Sequence, residues 1–123
     1  MKKIIILDAN AILRYILDDI KEQADTVQEI LQNEEILILP EVIAEVIYVM
    51  YKIYKIPRGN VLEYINNFLN DAKCDNQILI NAVKIFGGKN FDFVDCLLYE
   101  YSKQKDYEVF TFDKDLNNLI GLL

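Results

Sequence analysis

Three carboxylates follow the apolar runs of this chain at corresponding places. They are Asp8 directly after residues 4–7, Glu45 a turn into the helix that follows residues 36–39, and Asp113 directly after residues 109–112. Mg²⁺ and Mn²⁺ prefer oxygen ligands and are held in proteins by a few carboxylates together with substrate phosphates. Such a metal lowers the pKa of a bound water and neutralises charge on a phosphoryl group. The pattern therefore indicates metal-assisted hydrolysis of a phosphodiester.

The absence of histidine narrows the chemistry further. The chain contains no His, which excludes Ser-His-Asp and Cys-His nucleophiles, His-ligated zinc and imidazole acid-base catalysis. Its two cysteines, Cys74 and Cys96, stand 22 positions apart and form no CxxC motif. We expect both thiols to be reduced and packed inside the protein, because neither a metal knuckle nor a redox motif is present.

The composition predicts one folded domain. The chain has 123 residues, of which 53% are hydrophobic, and only 4 Gly and 2 Pro, so it can bury a substantial core. Its apolar runs are too short to span a bilayer. No small-residue cleavage site of a signal peptide follows the first apolar run, so we expect a cytoplasmic protein. With 13 basic and 20 acidic residues the net charge is −7. A polyphosphate substrate would then require either that the acids cluster around metal cations or that the basic residues line one edge. The acidic surface also suits a basic protein partner.

The apolar pattern predicts the elements that must position the acids. We expect strands at residues 4–7, 36–39 and 109–112, and helices at 10–17, 20–33, 41–54, 60–70 and 92–105. Residues 76–86 fit a helix or a strand, with the helix preferred, and the C-terminal tail could add an edge strand. Strands alternating with helices predict an α/β fold of three layers, α/β/α, around a central and mostly parallel sheet that helices cover on both sides.

Parallel strands end at one edge of a sheet, so the three acids are expected to converge there. Asp95 joins them only if a further strand precedes its helix, which the pattern does not reveal. Each acid also has a structural alternative, since Asp is a good helix N-cap. Asp8 could cap the first helix, Asp92 and Asp95 could form a capping box, and Glu45 could be an ordinary exposed residue. Asp113 could lie in a turn, with Asp115 capping the segment LNNLI.

Four motifs in order, IIILDANAILRYILDD, LPEVIAEVIYVM, FDFVDCLL and VFTFDKDL, resemble those of the PIN-domain family, and within it the VapC-like toxins of prokaryotic toxin-antitoxin pairs. The resemblance covers essentially the whole chain, residues 1–123, as a single domain. It implies a PIN fold and a Mg²⁺- or Mn²⁺-dependent endoribonuclease. It also implies a homodimer and a small antitoxin protein that covers the acidic site.

The resemblance also assigns residues. By position the family's four acids correspond to Asp8, Glu45, Asp95 and Asp113. The polar positions that line the site correspond to Asn10 and Thr111, and a more variable acid corresponds to Asp115. Cys96 stands where the family usually has Ala. On this basis Asp8, Asp95 and Asp113 would hold one or two metal ions, and Glu45 would bind or orient the water that displaces the sugar 3′ oxygen and leaves a 5′ phosphate.

Other roles stay open. Candidate phosphate contacts are Arg14, Lys52, Lys55, Arg58 and Lys89, and the stripe of Tyr48, Tyr51 and Tyr54 fits either helix packing or a base-stacking or antitoxin-binding surface. A haloacid-dehalogenase-like phosphatase also starts with an Asp after a strand, but needs a second Asp where this chain has Asn10. A phosphoaspartyl receiver needs an acidic pair that LDANA lacks. The last alternative is a PIN-like module that binds metal or a partner without catalysis.

Overall fold

The computed structural model describes residues 3–122 and has an α/β fold. The strands are β1 (Ile4–Ile6) and β2 (Glu35–Leu37). The helices are α1 (Ala9–Leu17), α2 (Lys21–Asn33), α3 (Pro40–Tyr48), α4 (Arg58–Asp71), α5 (Gln77–Gly88), α6 (Phe93–Ser102) and α7 (Lys114–Ile120). A π-helical segment, Val49–Ile53, continues α3 directly. None of the helices within residues 3–122 is long and apolar enough to cross a membrane.

The two strands pair in parallel, with Ile5 opposite Ile36. Ile5 and Ile36 pack against the hydrophobic core, whereas Ile4 and Ile6 are 57% and 53% exposed. The expected burial of these strands on both faces is therefore wrong, because alternate side chains of one strand point to opposite faces of the sheet and here only one face meets the core. The parallel pairing is confirmed, and it puts the starts of α1 and α3 at the same edge of the sheet.

The helices surround one core. Helix α1 packs against α2, α3 and α4, and α5 packs against both α4 and α6. The fully buried side chains at its centre include Ile12, Ile43, Met50, Ile65, Phe68 and Leu79. The ambiguous segment 76–86 is helical, as preferred, because Asn76 caps α5 by accepting a hydrogen bond from the Leu79 N–H at 3.1 Å. Helices α4 and α5 approach closely at Gly87, where an added Cβ would lie 2.6 Å from the Leu62 side chain.

The predicted helix 41–54 changes its hydrogen bonding part of the way along. It is α-helical to Tyr48 and then π-helical, ending where the Tyr54 N–H donates to the Val49 carbonyl at 2.9 Å. Lys55 follows with φ 59° in the left-handed region. The wider turn keeps Met50 fully buried while Ile53 is 57% exposed. Short π-helical insertions of this kind are frequent near functional sites.

The predicted strand 109–112 is wrong, and so is the possible C-terminal edge strand. Residues 109–112 form no strand ladder, and the tail forms α7 instead. Local side-chain hydrogen bonds take the place of a ladder: the Asp113 N–H donates to Thr111 Oγ1 at 3.0 Å and Asn117 Nδ2 donates to the Thr111 carbonyl at 2.9 Å. Such bonds compete with regular pairing. Phe110 and Phe112 are 83% and 92% exposed as a result.

Candidate active site

Asp8 is the N-cap of α1. Its backbone is extended, and its Oδ1 accepts a hydrogen bond from the Ala11 N–H at 2.8 Å. This satisfies one of the free N–H groups at the start of the helix. Among the described residues Asp8 Oδ2 has no hydrogen-bond partner, and the residue is exposed. Capping therefore uses only one of the two carboxylate oxygens of Asp8.

Glu45 lies on α3, the helix that Pro40 starts directly after the second strand. Its side chain is exposed, whereas the neighbouring Val46 and Ile47 are buried. Helix α3 packs against both α1 and α6. Glu45 is thus carried by a helix that contacts the helix capped by Asp8 and the helix that carries Asp95.

Asp95 occupies the first turn of α6 and is half-buried. Burial raises its pKa above the ordinary value of 3.8, and the nearby carboxylates of Asp92 and Asp113 raise the pKa further. Like charges disfavour ionisation in this way only when they lie close together. Helices α6 and α7 pack against each other, so Asp95 and Asp113 lie in one region of the surface without a strand at 109–112.

Asp113 is the N-cap of α7. Its Oδ1 accepts a hydrogen bond from the Leu116 N–H at 2.9 Å, and its own N–H is held by the Thr111 hydroxyl. Thr111 thus orients Asp113. The site-lining candidates Asn10 and Asp115 are both exposed, and Asp115 follows Asp113 in the first turn of α7.

Sequence reasoning did not include Asp92 among the candidate site residues. It occupies the N-cap position of α6, as the capping alternative predicts, but its side chain makes no capping hydrogen bond. It is exposed and interacts with Asp95 through charge. It also borders a cavity of about 250 Å³ whose walls include Tyr48, Tyr51 and Phe93. The only signal in the sequence was its spacing of three from Asp95.

The four predicted acids, Asp8, Glu45, Asp95 and Asp113, which we call the acidic edge, do not form a closed ligand set. Within residues 3–122, no three Asp, Glu or Cys side chains are gathered closely enough to hold a metal ion. The donor chemistry fits Mg²⁺ or Mn²⁺, since the predicted ligands are Asp8, Glu45, Asp95 and Asp113 and offer oxygen alone. Burial, followed by the charges of Asp92 and Asp113, raises the pKa of Asp95, and a bound cation would favour its ionised form.

The basic candidates divide into two groups. Arg14 pairs with Asp19 at 3.1 Å with only 16% of its side chain exposed, and the Arg58 guanidinium is held by backbone carbonyls inside the protein. Both guanidinium groups are therefore engaged by other groups of the protein. The candidates that are exposed are Lys52, Lys55 and Lys89.

The three tyrosines of the stripe differ in their exposure. Tyr48 and Tyr54 are 59% and 48% exposed, whereas Tyr51 is half-buried and packs edge-to-face on Phe86 with ring centroids 5.4 Å apart. Only the outer two tyrosines can therefore serve a binding surface.

A second cavity, of about 400 Å³, lies between α1, α2 and α4. Tyr15 and Asp71 line it, and the Tyr15 hydroxyl donates to Asp71 Oδ2 at 2.6 Å. Burial, the hydrogen bond and the Asp71 charge raise the pKa of Tyr15 to about 12. None of the four predicted metal ligands lines this cavity, so it is separate from the acidic edge.

The fold is α/β, and aspartates stand at the starts of α1, α6 and α7. The sequence matches the PIN domain over residues 5–122, nearly its whole length, and the chain belongs to the PIN domain family. PIN domains are generally nucleases, hydrolases of phosphodiester bonds. This family match favours the nuclease over the phosphatase and receiver alternatives. No curated protein and no solved structure matches the chain significantly.

Proposed function

We propose that this protein is a metal-dependent endoribonuclease and the toxin of a toxin-antitoxin pair. The observation that carries the proposal is the acidic edge, where α1 and α7 are capped by Asp8 and Asp113 and α6 carries Asp95 in its first turn, in a chain of the PIN family. The chain has no histidine, so no imidazole is available as an acid or base at this edge. Hydrolysis there depends on carboxylates and a cation.

Asp8, Glu45, Asp95 and Asp113 would hold Mg²⁺ or Mn²⁺. When bound, the ion lowers the pKa of a water and neutralises charge on the phosphoryl oxygens. Asp8 and Asp113 each commit Oδ1 to a helix N–H, which fixes the orientation of the carboxylate and leaves Oδ2 for a ligand. This division of oxygens supports their assignment as metal ligands.

Glu45 would orient the attacking water. It is exposed on a helix whose neighbouring positions are buried, so its backbone is fixed while its carboxylate stays accessible. A cation near Asp95 would favour its ionised form, which burial and the charges of Asp92 and Asp113 disfavour. Cleavage with the sugar 3′ oxygen as leaving group would give a 5′ phosphate.

RNA is the proposed substrate. The exposed cation Lys52 lines the same cavity as Asp92, and Lys89 is exposed directly after α5. Phosphate contacts from Lys are the usual source of affinity for nucleic acid. Tyr48, which lines the same cavity as Lys52, offers an exposed ring on which a base can stack.

A small antitoxin and a second copy of the chain are the proposed partners, and the cytoplasm is the proposed location. The net charge of −7 favours a basic partner segment over the acidic edge. Exposed apolar side chains support the burial of further surface on assembly. They include Ile4, Ile6, Leu37, Phe110 and Phe112.

Incubating the purified protein with structured RNAs tests the activity. Cleavage is expected with Mg²⁺ or Mn²⁺, and loss of cleavage is expected with EDTA or in the Asp8→Asn variant. A phosphomonoester serves as the second substrate. Intact RNA under every metal condition, together with hydrolysis of the phosphomonoester, would support the phosphatase instead. Metal binding without cleavage of any substrate would support a non-catalytic module.

A further inference from the structure

Arg58 makes an unusual number of contacts for a cation at the start of a helix. Its Nη1 donates to the carbonyls of Phe86, Lys89 and Phe91 at 3.1, 2.8 and 2.7 Å. These carbonyls belong to the last turn of α5 and to the stretch that links α5 to α6. Hydrogen bonds from a charged donor are stronger than neutral ones.

Two aromatic rings fix the same guanidinium. Its carbon lies 4.6 Å from the centre of the Tyr51 ring and 4.3 Å from that of Phe86, and Arg58 Nε donates to the Tyr51 hydroxyl at 3.1 Å. A planar guanidinium can stack and donate at once, which an ammonium cannot do. Arg58 therefore joins the π-helical segment, the end of α5 and the α5–α6 link at one point.

The α5–α6 link leads straight into two of the acids. Phe91 precedes Asp92, and the first hydrogen bond of α6 runs from the Cys96 N–H to the Asp92 carbonyl at 3.1 Å. Helices α1 and α7 are fixed at their starts by their own capping aspartates, but Asp92 makes no capping hydrogen bond to α6. The start of α6 is instead held from outside, through the carbonyl of Phe91.

We propose that Arg58 is a positioning residue of the acidic edge: its guanidinium fixes the start of α6 and thereby holds Asp95 beside Asp113. The effect on metal binding rests on the proposed function, whereas the effect on the start of α6 does not. Arg58 touches no substrate, and it acts through the backbone of the α5–α6 link.

Two measurements on the full chain test the proposal, with the variants Arg58→Ala and Arg58→Lys. Hydrogen exchange of the Phe91 and Cys96 amides is expected to be at least about tenfold faster in both variants, while exchange at Ala11 stays unchanged. The Kd for Mn²⁺, measured by calorimetry on folded protein, is expected to rise about tenfold, as for other residues that support metal ligands indirectly. Lysine should not rescue either property, because it cannot reach three carbonyls while stacking on two rings.

Lys52→Ala is the matched control. Lys52 lies over the same Tyr51 ring at 5.2 Å, so this variant removes the same charge from the same ring but no carbonyl contact. It is expected to keep wild-type exchange and wild-type Mn²⁺ affinity. Tyr51→Phe removes only the acceptor for Arg58 Nε and should speed exchange at the same two amides by a smaller factor, which provides a test if Arg58→Ala fails to fold.

Several results would overturn the proposal. Exchange in Arg58→Ala equal to that in Lys52→Ala would refute it, as would full rescue by Arg58→Lys. If the wild type does not bind Mn²⁺, the metal part of the proposed function is refuted, and the exchange pattern by itself still decides the role of Arg58.

Discussion

Replacing Asp8 by asparagine and by alanine separates its observed role as a helix cap from its proposed role as a metal ligand. Asparagine keeps a side-chain oxygen for the Ala11 N–H, which lies 2.8 Å from Asp8 Oδ1, and loses only the charge. Alanine loses both. We expect both variants to lose metal-dependent cleavage, and only the alanine variant to lose the cap.

The magnitudes follow from the geometry at the start of α1. Loss of an N-cap costs about 1 kcal/mol in the free energy of unfolding, and asparagine caps as well as aspartate. Loss of the negative charge at an exposed helix N-terminus costs a further ~0.3–1 kcal/mol in either variant. Asp8→Ala should therefore be less stable than Asp8→Asn by about 1 kcal/mol, a difference in Tm of about 4 °C for a chain of this size.

Urea unfolding followed by circular dichroism measures the stability difference, and RNA cleavage with Mn²⁺ measures the activity. Equal stabilities for the two variants would refute the capping role of Asp8. Cleavage retained by Asp8→Asn would refute its role as a metal ligand, because an amide oxygen cannot replace the charge of a carboxylate.

Two further predictions concern packing and pH. Gly87→Ala should lower the free energy of unfolding by about 1 kcal/mol, because a Cβ 2.6 Å from Leu62 costs about 1–3 kcal/mol of overpacking against a gain of up to about 1 kcal/mol in helix propensity. Gly88→Ala, which meets nothing within 4 Å, is the control and should be neutral or slightly stabilising in urea unfolding; a Gly87→Ala variant as stable as this control would contradict the close helix contact. Folding raises the pKa of Tyr15 from 10.0 to about 12. Between these two pH values the folded protein keeps the Tyr15 proton while the unfolded chain loses it. The free energy of unfolding should therefore fall as pH rises from 10 to 12. In Tyr15→Phe this part of the fall in Tm should be absent, and an unchanged pH profile would contradict a protonated Tyr15 bonded to Asp71.

The sequence predicted the elements whose signals are local. Continuous apolar runs predicted the two strands, and their parallel pairing followed from the helices between them. The strand at 109–112 failed because its apolar pattern is outweighed by side-chain hydrogen bonds of Thr111 and Asn117 to the nearby backbone. The π-helical segment was also beyond reach, since one extra residue in a turn leaves the spacing of apolar residues almost unchanged.

The same distinction between local signals and long-range packing applies to the candidate site. Sequence reasoning could identify Asp8 and Asp113 as acids at helix starts, because capping is decided by residues three positions apart. The distance between acids of different helices is decided by packing, and so the pattern alone could not bring Asp95 to Asp113. Arg58 illustrates the limit most clearly: a Pro-Arg pair at the start of a helix looks like a solvated surface charge, and its carbonyl acceptors lie 28 to 33 positions away.

The capping hydrogen bonds of Asp8 and Asp113 also bear on the order of folding and metal binding. Asp8 and Asp113 find their first partner in the helix itself, so the partial positive charge of two helix ends offsets part of the acidic repulsion before any ion arrives. Under the proposed function, folding and metal loading would then be separate steps. The chain would fold without the ion and bind Mg²⁺ or Mn²⁺ afterwards.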